Sequence, residues 1–252
     1  MAKQESLVKM RGKVGDLSFS KHRSRGYEVR MKGGVDKSRI ASDPNFQRTR
    51  ENNAEFGSAN KMAKSLRLQL NNLLRYFSDK SMRNRLTSLV HRIQKADPVN
   101  LRGERVFLPE NADMLKGFEL NIGSSLKMIL AEDLEPVIDR DAETVSLVIP
   151  QFNPQNDVTL LNGATHMQVV LVAAELTMQE VPPKPVVERS AYIPLIGEHV
   201  EETLQLTTAF DPGSAAYVLV GIGLFQEVNG AFYPLNNGSY NAMSIVEVDI
   251  PD

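Results

Sequence analysis

Four histidines are the side chains best suited to bind a metal ion or to transfer a proton near neutral pH. They are His22, His91, His166 and His199, and no two of them have the spacing of four residues at which one helix presents two ligands to zinc. The chain has no cysteine, which excludes disulfides, thiolate metal sites and cysteine nucleophiles. We therefore expect the histidines to occupy surface or strand positions, and we predict no metal site.

Motifs for nucleotide binding and for hydrolysis are incomplete. Residues 221–226, GIGLFQ, lack the third glycine of a dinucleotide-binding loop and continue as a strand-like segment. Residues 33–38, GGVDKS, are too short for a Walker phosphate-binding loop, and no G-x-S-x-G nucleophile motif occurs. The sequence therefore predicts no cofactor and no catalytic residue, and it favours a protein that is not an enzyme.

An acidic run, AEDLEPVIDRDAE at residues 131–143, carries carboxylates of the kind that calcium prefers as ligands. Pro136 and Val137 interrupt the run, and the glycine and the ligand order of an EF-hand loop are absent. We expect this segment to be a solvated loop between strands.

The charges are divided unevenly along the chain. Residues 1–110 hold 24 lysines and arginines against 11 aspartates and glutamates, a net charge of +13. Residues 111–252 hold 5 against 20, a net charge of -15, so the whole chain carries only -2. Such a division indicates an electrostatic role. The basic half could meet a nucleic acid, stay solvated or meet an acidic protein surface, and the matching acidic half favours the last of these.

Two basic helices are predicted in the segment 53–103. Over residues 49–77 the apolar side chains share one face of a helix, and the basic side chains occupy the neighbouring face. A second helix is predicted over 79–96, with Ser78 as its N-cap and Pro98 after its end. The helical hairpin presents a cationic surface made of Lys61, Lys64, Arg67, Arg75, Arg83, Arg85 and Arg92.

The N-terminal residues 1–52 are predicted to form an extended arm that contains a β-hairpin. Residues 13–31 alternate apolar and polar side chains on both sides of a basic turn, with Gly26 near the bend. Residues 32–52 show no period, and we interpret them as a mobile linker or as an arm that becomes ordered against a neighbouring molecule. The predicted contact residues of the hairpin are Leu17, Phe19, Tyr27, Val29 and Met31.

From residue 104 the hydrophobic period changes from that of a helix to that of a strand. The predicted strands are 104–108, 116–121, 126–131, 143–150, 166–178, 187–195, 202–210, 215–228 and 241–249. Short turns such as DPGS and NNGS separate many of them, which is typical of an antiparallel β-sandwich, immunoglobulin-like or jelly-roll. The predicted fold class is α+β, with an acidic sandwich over 104–252.

The bulk composition is that of a soluble globular protein, with 42% hydrophobic and 24% charged residues in 252. The N-terminus has no apolar signal region, and the longest apolar runs fall short of the about 20 residues that a membrane-spanning helix needs. We expect synthesis in the cytoplasm and no membrane span, while the final location stays open.

These features together favour a non-enzymatic structural protein that self-assembles head-to-tail into a tube, sheath or filament, of a phage- or secretion-related kind. The basic N-terminal region would dock on the acidic sandwich of an adjoining copy, since the charges are complementary. Head-to-tail contacts generate rings or open polymers. Two alternatives stay open: a nucleic-acid-associated protein whose basic helices bind phosphates, and a ligand-binding sandwich module with aromatic side chains near 225–240.

Four segments carry a family resemblance. They are GKVGDLSF at 12–19, GYEVRMKGG at 26–34, TRENNAEFG at 49–57 and FYPLNNGSYNAMSIV at 232–246. Together they resemble a group of hypothetical proteins from bacteroidete bacteria. The resemblance covers both ends of the chain, and it implies full-length kinship and a bacterial source. It implies no activity, so no catalytic residue is carried over.

Overall fold

The computed structural model describes residues 2–31, 33–159, 161–179 and 181–251. The chain divides into two compact units, Met1–Asn52 and Asn53–Asp252, which we call the N-terminal unit and the C-terminal unit. Helices account for 29% of the structure and antiparallel sheets for 32%. The predicted α+β class is confirmed.

The N-terminal unit contains a four-stranded antiparallel sheet. Its strands are β1 (Ala2–Lys3), β2 (Gly12–Val14), β3 (Leu17–His22) and β4 (Gly26–Met31), in the order β1-β4-β3-β2. β3 and β4 form the predicted hairpin, and Gly26 begins β4 with φ of 80°, a conformation that favours glycine. The hairpin prediction is therefore confirmed, and β1 and β2 extend it into a sheet.

The segment predicted to lack structure contains short helices, so that part of the arm prediction is wrong for the described residues 33–52. They include α1 (Lys37–Ser42), a 3₁₀ turn (Pro44–Phe46) and the start of α2 (Gln47–Gln69). Asp36 caps α1 by accepting from the Ser38 amide at 2.8 Å, and Asp43 caps the 3₁₀ turn by accepting from the Asn45 amide at 2.9 Å. No residue of α1 is buried, so the helix has no apolar stripe and its sequence shows no helical hydrophobic period.

The basic helices begin and end differently from the prediction. The first is broken at Leu70 into α2 and α3 (Asn71–Phe77), and the second is α4 (Met82–Lys95). Ser78 is not the N-cap of α4; it follows α3, where its Oγ donates to the Leu74 carbonyl at 2.6 Å. Ser81 takes the N-cap position. The side-chain oxygen of Asp79 accepts from the Ser81 amide at 2.5 Å, which holds the chain between α3 and α4.

The C-terminal unit holds two antiparallel sheets. The larger has six strands, with β7 (His166–Glu175) and β11 (Ala216–Val228) at its centre. On the free side of β7 lie β8 (Val186–Arg189) and β9 (Ile193–Pro194), and on the free side of β11 lie β12 (Ala231–Pro234) and β13 (Ala242–Asp249). The smaller sheet has the order β10-β6-β5, formed by Glu202–Thr207, Thr144–Ile149 and Pro136–Asp139.

The predicted strands between residues 104 and 131 are wrong, while all later predicted segments contain strands. The loop prediction for 131–143 is wrong over Pro136–Asp139, which form β5. Residues 104–108 are a loop, and 126–131 contain the short helix α5 (Leu126–Ile129). Residues 116–121 run beside β13 and form one antiparallel bridge with it, between Glu119 and Ser244, but no named strand. The Leu120 amide donates to the Met243 carbonyl at 2.8 Å. Alternating apolar residues predict an extended, half-buried chain, and they do not distinguish a strand from such a loop.

The core of the C-terminal unit lies on both faces of the larger sheet. Val170, Val172 and Ala174 of β7 pack in one hydrophobic cluster with the helices. Val169 and Leu171 pack in the other cluster, with the smaller sheet. The two sheets thus face each other as in a sandwich, and the helices form a further layer that the immunoglobulin-like and jelly-roll predictions did not include.

The helices of 53–103 therefore do not form a unit of their own. Leu66 of α2 and Val90 of α4 lie in the same cluster as Tyr217 of β11. The Tyr217 hydroxyl is buried and donates to Gln69 Oε1 on α2 at 2.8 Å. Burial raises the pKa of Tyr217, so the phenol stays protonated as the donor.

Gly221 permits a close approach between these layers. A Cβ added to Gly221 of β11 would lie 2.5 Å from Met243 Cε, and 3.3 Å from Cε1 of Phe77 at the end of α3. The helical layer rests on the sheet at this point because Gly221 has no side chain.

Within the described residues, no helix has both the length and the apolar character needed to cross a membrane.

Candidate interaction surfaces

The hairpin of the N-terminal unit gathers all five predicted contact residues on one side of its sheet. Directly opposite residues of an antiparallel pair point to the same side. Leu17 pairs with Met31, Phe19 pairs with Val29, and Tyr27 pairs with Lys21. Val14 of β2 pairs with Leu17 and extends the set. We call this surface the hairpin face: Val14, Leu17, Phe19, Tyr27, Val29 and Met31.

The hairpin face is only partly covered within the described part of the N-terminal unit. Met31 is 73% exposed and Val14 is 62% exposed, while Phe19, Tyr27 and Val29 are half-buried. Among the described residues of the N-terminal unit, Glu28 alone is buried. The apolar face of a sheet is normally buried against another element. The hairpin face therefore has the properties of a contact surface.

The same unit is strongly cationic. It holds 13 lysines and arginines against 6 aspartates and glutamates, a net charge of +7. Two of the cations lie over the Tyr27 ring: Arg11 Cζ is 5.8 Å and Lys21 Nζ is 5.4 Å from its centroid. A partner for this face would combine apolar contacts with negative charge.

The C-terminal unit is negatively charged and contains a cavity with a partly apolar lining. It holds 16 basic against 25 acidic residues, a net charge of -9. A cavity of about 630 Å³ lies between α5, β5 and β13. We call it the acidic pocket; its apolar lining includes Leu126, Leu134 and Val246, and its carboxylates are Glu119, Glu132, Asp133, Glu135 and Glu247.

Part of the charge in the acidic pocket is already neutralised. Lys116 pairs with Glu247 and Lys127 pairs with Asp133, each at 2.7 Å between nitrogen and oxygen. Glu132 and Glu135 are exposed and have no ion pair among the described residues. Two carboxylates are therefore available to an incoming cation. Among the described residues, no group of three or more possible ligands could hold a metal ion.

Glu119 lies in the wall of the acidic pocket. Its Oε2 atom is buried, and no donor within the described chain reaches it. Burial raises the pKa of Glu119 to about 7, against smaller opposing contributions from the Leu126 amide and the Arg85 charge. Sequence reasoning missed Glu119 because it lies in a segment predicted as an ordinary strand.

Arg85 does not share the exposed cationic surface predicted for the helices. Its guanidinium donates to the Glu119 carbonyl at 2.7 Å and the Leu120 carbonyl at 3.1 Å, and pairs with Asp79 at 2.7 Å. It is half-buried and holds residues 119–120 against α4. Its role in the structure is to connect these segments.

The other predicted cations lie on the three helices. Lys61, Arg75 and Arg92 are exposed. Lys64 and Arg67 of α2 meet Arg83 of α4 in a cleft of about 570 Å³. Lys80, between α3 and α4, completes what we call the cationic cleft, lined also by Leu68, Asn71, Leu74, Ser78, Asp79 and Met82. Lys80 was missed because the second helix was predicted to begin at residue 79, whereas Lys80 lies in the connection between α3 and α4.

Comparisons with known proteins give no family for these surfaces. No family model, no curated protein and no solved structure matches the chain. The resemblance to bacteroidete proteins stays a prediction.

The histidines lie in separate places. Nε2 of His91 and Nε2 of His199 are buried without a hydrogen-bond partner in the described structure, and burial lowers the pKa of both. Both side chains are therefore neutral at neutral pH. His166 lies beside an aromatic group, with its ring centroid 4.8 Å from that of Phe232.

That aromatic group bears on the ligand-binding alternative. The rings of Tyr192 and Phe232 are stacked with centroids 3.9 Å apart, and Phe225 packs edge-on against Tyr192 at 5.0 Å. Phe225 and Phe232 are half-buried, and each packs against the ring of Tyr192. Neither ring therefore presents a free face on which a ligand could stack. Tyr233 and Tyr240 of the same region are exposed, at 57% and 39%. The ligand-binding alternative therefore stays a prediction.

Proposed function

We propose that the protein is a non-enzymatic structural protein that assembles head-to-tail, with the hairpin face of one copy docked on the acidic C-terminal unit of the next. The observation that carries the proposal is the hairpin face itself. It is apolar and partly exposed, and it belongs to a unit of net charge +7 that has no buried apolar side chain among its described residues.

A second copy of the chain is the partner with the matching chemistry. Each copy carries a unit of +7 and a unit of -9, so each can act as donor and as acceptor of the same contact. A contact between two different surfaces leaves one of each free after every addition. Such a series closes into a ring or continues as a tube, sheath or filament.

Nucleic acid is a weaker partner for the N-terminal unit. Its cations would bind phosphates, but that binding would leave Met31, Val14 and Leu17 exposed to water. An acidic protein surface with apolar lining covers both kinds of group. The acidic pocket offers free carboxylates, Glu132 and Glu135, beside apolar side chains such as Leu134.

The proposal is tested by sedimentation and light scattering of the full chain over a range of concentrations, with negative-stain electron microscopy of the largest species. We expect the mean mass to rise with concentration. The double variant Leu17→Ser, Met31→Ser removes apolar area from the hairpin face and should shift the distribution to monomer.

Val35→Ser is the matched control, because Val35 is an exposed apolar residue of the same unit outside the sheet. It should leave the mass distribution unchanged. A wild-type chain that stays a monodisperse monomer at every concentration would remove the proposal.

A further inference from the structure

The cationic cleft collects positive charge in a way that the proposed assembly does not use. Lys64 and Arg67 project from α2 and Arg83 from α4, with Lys80 from the connection between α3 and α4. Among the described residues none of these four side chains forms an ion pair. The cleft is therefore a concentration of uncompensated cations in a concave site.

The two arginines are close enough to repel each other. Arg67 is half-buried, and its Nε donates to the Ala63 carbonyl at 3.1 Å, which leaves the other guanidinium nitrogens without a partner among the described residues. Burial and the charge of Arg83 both lower the pKa of Arg67. An anion between the two guanidinium groups would relieve this repulsion.

The one carboxylate that lines the cleft is committed elsewhere. Asp79 pairs with Arg85 at 2.7 Å, and its Oδ2 accepts from the Ile122 amide at 2.8 Å. Burial disfavours the charge on Asp79, but these contacts and those with Ser81 outweigh it and hold the pKa of Asp79 well below its usual value. Asp79 therefore does not neutralise the cations of the cleft.

The cleft has room for a small molecule. Its volume of about 570 Å³ lies in the usual range for small-molecule sites. A second hollow of about 390 Å³ shares Arg67 and Arg83 with the cleft and is lined also by Phe56, Asn60 and Ser88. The two arginines thus border both hollows, and Phe56, which is 52% exposed, supplies an aromatic surface beside them.

We propose that the cationic cleft binds the phosphate group of a small phosphorylated molecule, with Arg67 and Arg83 as the groups that contact the phosphate. Guanidinium groups form paired, charge-assisted hydrogen bonds with phosphate oxygens. Lys64 and Lys80 add charge from the same cleft. The organic part of the ligand would occupy the hollow beside Phe56, where Asn60 and Ser88 offer hydrogen bonds.

Free phosphate and a phosphate ester share this chemistry, and titrations of the full chain distinguish them. Isothermal calorimetry and thermal unfolding at low ionic strength are measured with inorganic phosphate, pyrophosphate, nucleoside monophosphates and triphosphates, and with acetate as a carboxylate control. We expect phosphate compounds to raise the unfolding temperature and acetate not to. Tighter binding of the esters than of inorganic phosphate would show that the neighbouring hollow contributes.

Arg83→Gln is the decisive variant, because Arg83 is exposed and makes no hydrogen bond within the described structure. Loss of one charge-assisted contact should weaken phosphate binding by about 10-fold or more. The same variant should unfold at a slightly higher temperature than wild type in the absence of ligand, because it removes the repulsion on Arg67. A variant that had merely lost structure would not show this gain.

Arg75→Gln is the matched control, since Arg75 is an exposed arginine on α3 outside the cleft. It should bind phosphate compounds as wild type does. Three outcomes overturn the proposal: no response to any phosphate compound up to about 10 mM, an equal loss in Arg75→Gln and Arg83→Gln, or binding confined to oligonucleotides. The last would assign the helices to a nucleic acid instead.

Discussion

The carboxyl group of Glu119 combines two properties that rarely occur together in a structural side chain: a buried oxygen without a donor among the described residues, and a position in the wall of an open pocket. Burial leaves the charged carboxylate poorly solvated, which raises the pKa of Glu119 to about 7 in the folded chain. In the unfolded chain the same group has its ordinary pKa. The folded state therefore binds the proton more tightly than the unfolded state does.

This difference makes stability depend on pH. The folded-state pKa is raised, so the free energy of unfolding should fall as the pH rises from the ordinary pKa of a glutamate through about 7. We expect Glu119→Gln to remove most of this dependence. After a discount for solvent screening of the half-buried carboxyl, it should stabilise the protein at pH 8 by about 2 kcal/mol relative to wild type. Urea unfolding at a series of pH values measures both effects.

Glu135→Gln serves as the control for this prediction, because Glu135 lies in the same pocket but is exposed. Its pH dependence should follow that of wild type. If Glu119→Gln also follows wild type over the whole range, the burial of the Glu119 carboxyl does not control its proton.

Gly221 gives a second prediction for a single residue. A valine at this position would push against Met243 and Phe77, which lie in the contact between the larger sheet and the helices. We expect Gly221→Val to lower the free energy of unfolding by about 2 to 3 kcal/mol, the usual cost of overpacking a core. Chemical denaturation followed by circular dichroism measures the loss.

Gly213 provides the comparison for Gly221. A Cβ at Gly213 would meet nothing within 4 Å, so Gly213→Val should change stability by less than about 1 kcal/mol. Equal losses at the two positions would show that backbone flexibility, and not the contact with Phe77, determines the cost.

At the scale of elements, sequence patterns located most of the structure from residue 143 onward and the hairpin before it. The strands β7 and β11 were found because each is a long apolar run between turn signals. The helix α1 was missed because its stability comes from capping by Asp36 and not from an apolar stripe. Local hydrogen bonds of this kind leave little trace in hydrophobic periodicity.

The sequence predicts the three candidate sites to different degrees, because local patterns show which residues share a face but not how separate elements pack together. The hairpin face follows from alternation in two adjacent strands, which sequence alone reveals. The cationic cleft depends on how α4 packs beside α2, and a helical wheel shows Arg67 and Arg83 without their proximity. Glu119 required the tertiary structure, since its burial is produced by α5 and β13.

If copies of the chain assemble as proposed, the β3–β4 hairpin should become more stable in the assembly. A covering partner would remove water from the hairpin face and slow local opening. We expect amide hydrogen exchange in β3 and β4 to slow as the protein concentration rises, while exchange in β7 stays constant. In the Leu17→Ser, Met31→Ser variant the exchange in β3 and β4 should be independent of concentration. Concentration-independent exchange in wild type would argue that nothing covers the hairpin face.

At the scale of the whole molecule, the opposite net charges of the two units determine how the proposed contact between copies depends on salt. A unit of net charge +7 attracts a unit of net charge -9. Dissolved salt screens this attraction, with a Debye length of about 10 Å at 0.1 M. We expect the mean mass measured by light scattering to decrease when the salt concentration rises from about 0.05 M to about 0.5 M. Unchanged or larger assemblies at high salt would indicate that apolar contact alone holds the copies together.

The two-sided burial of β7 and β11 has a consequence for handling the protein outside its native state. Residues 167–174, MQVVLVAA, and 216–224, AYVLVGIGL, contain no charged side chain and have high strand propensity. When the chain is denatured, these segments are available to pair with identical segments of other molecules. Renaturation should therefore compete with precipitation, and the yield should fall steeply as more chain is present during removal of the denaturant.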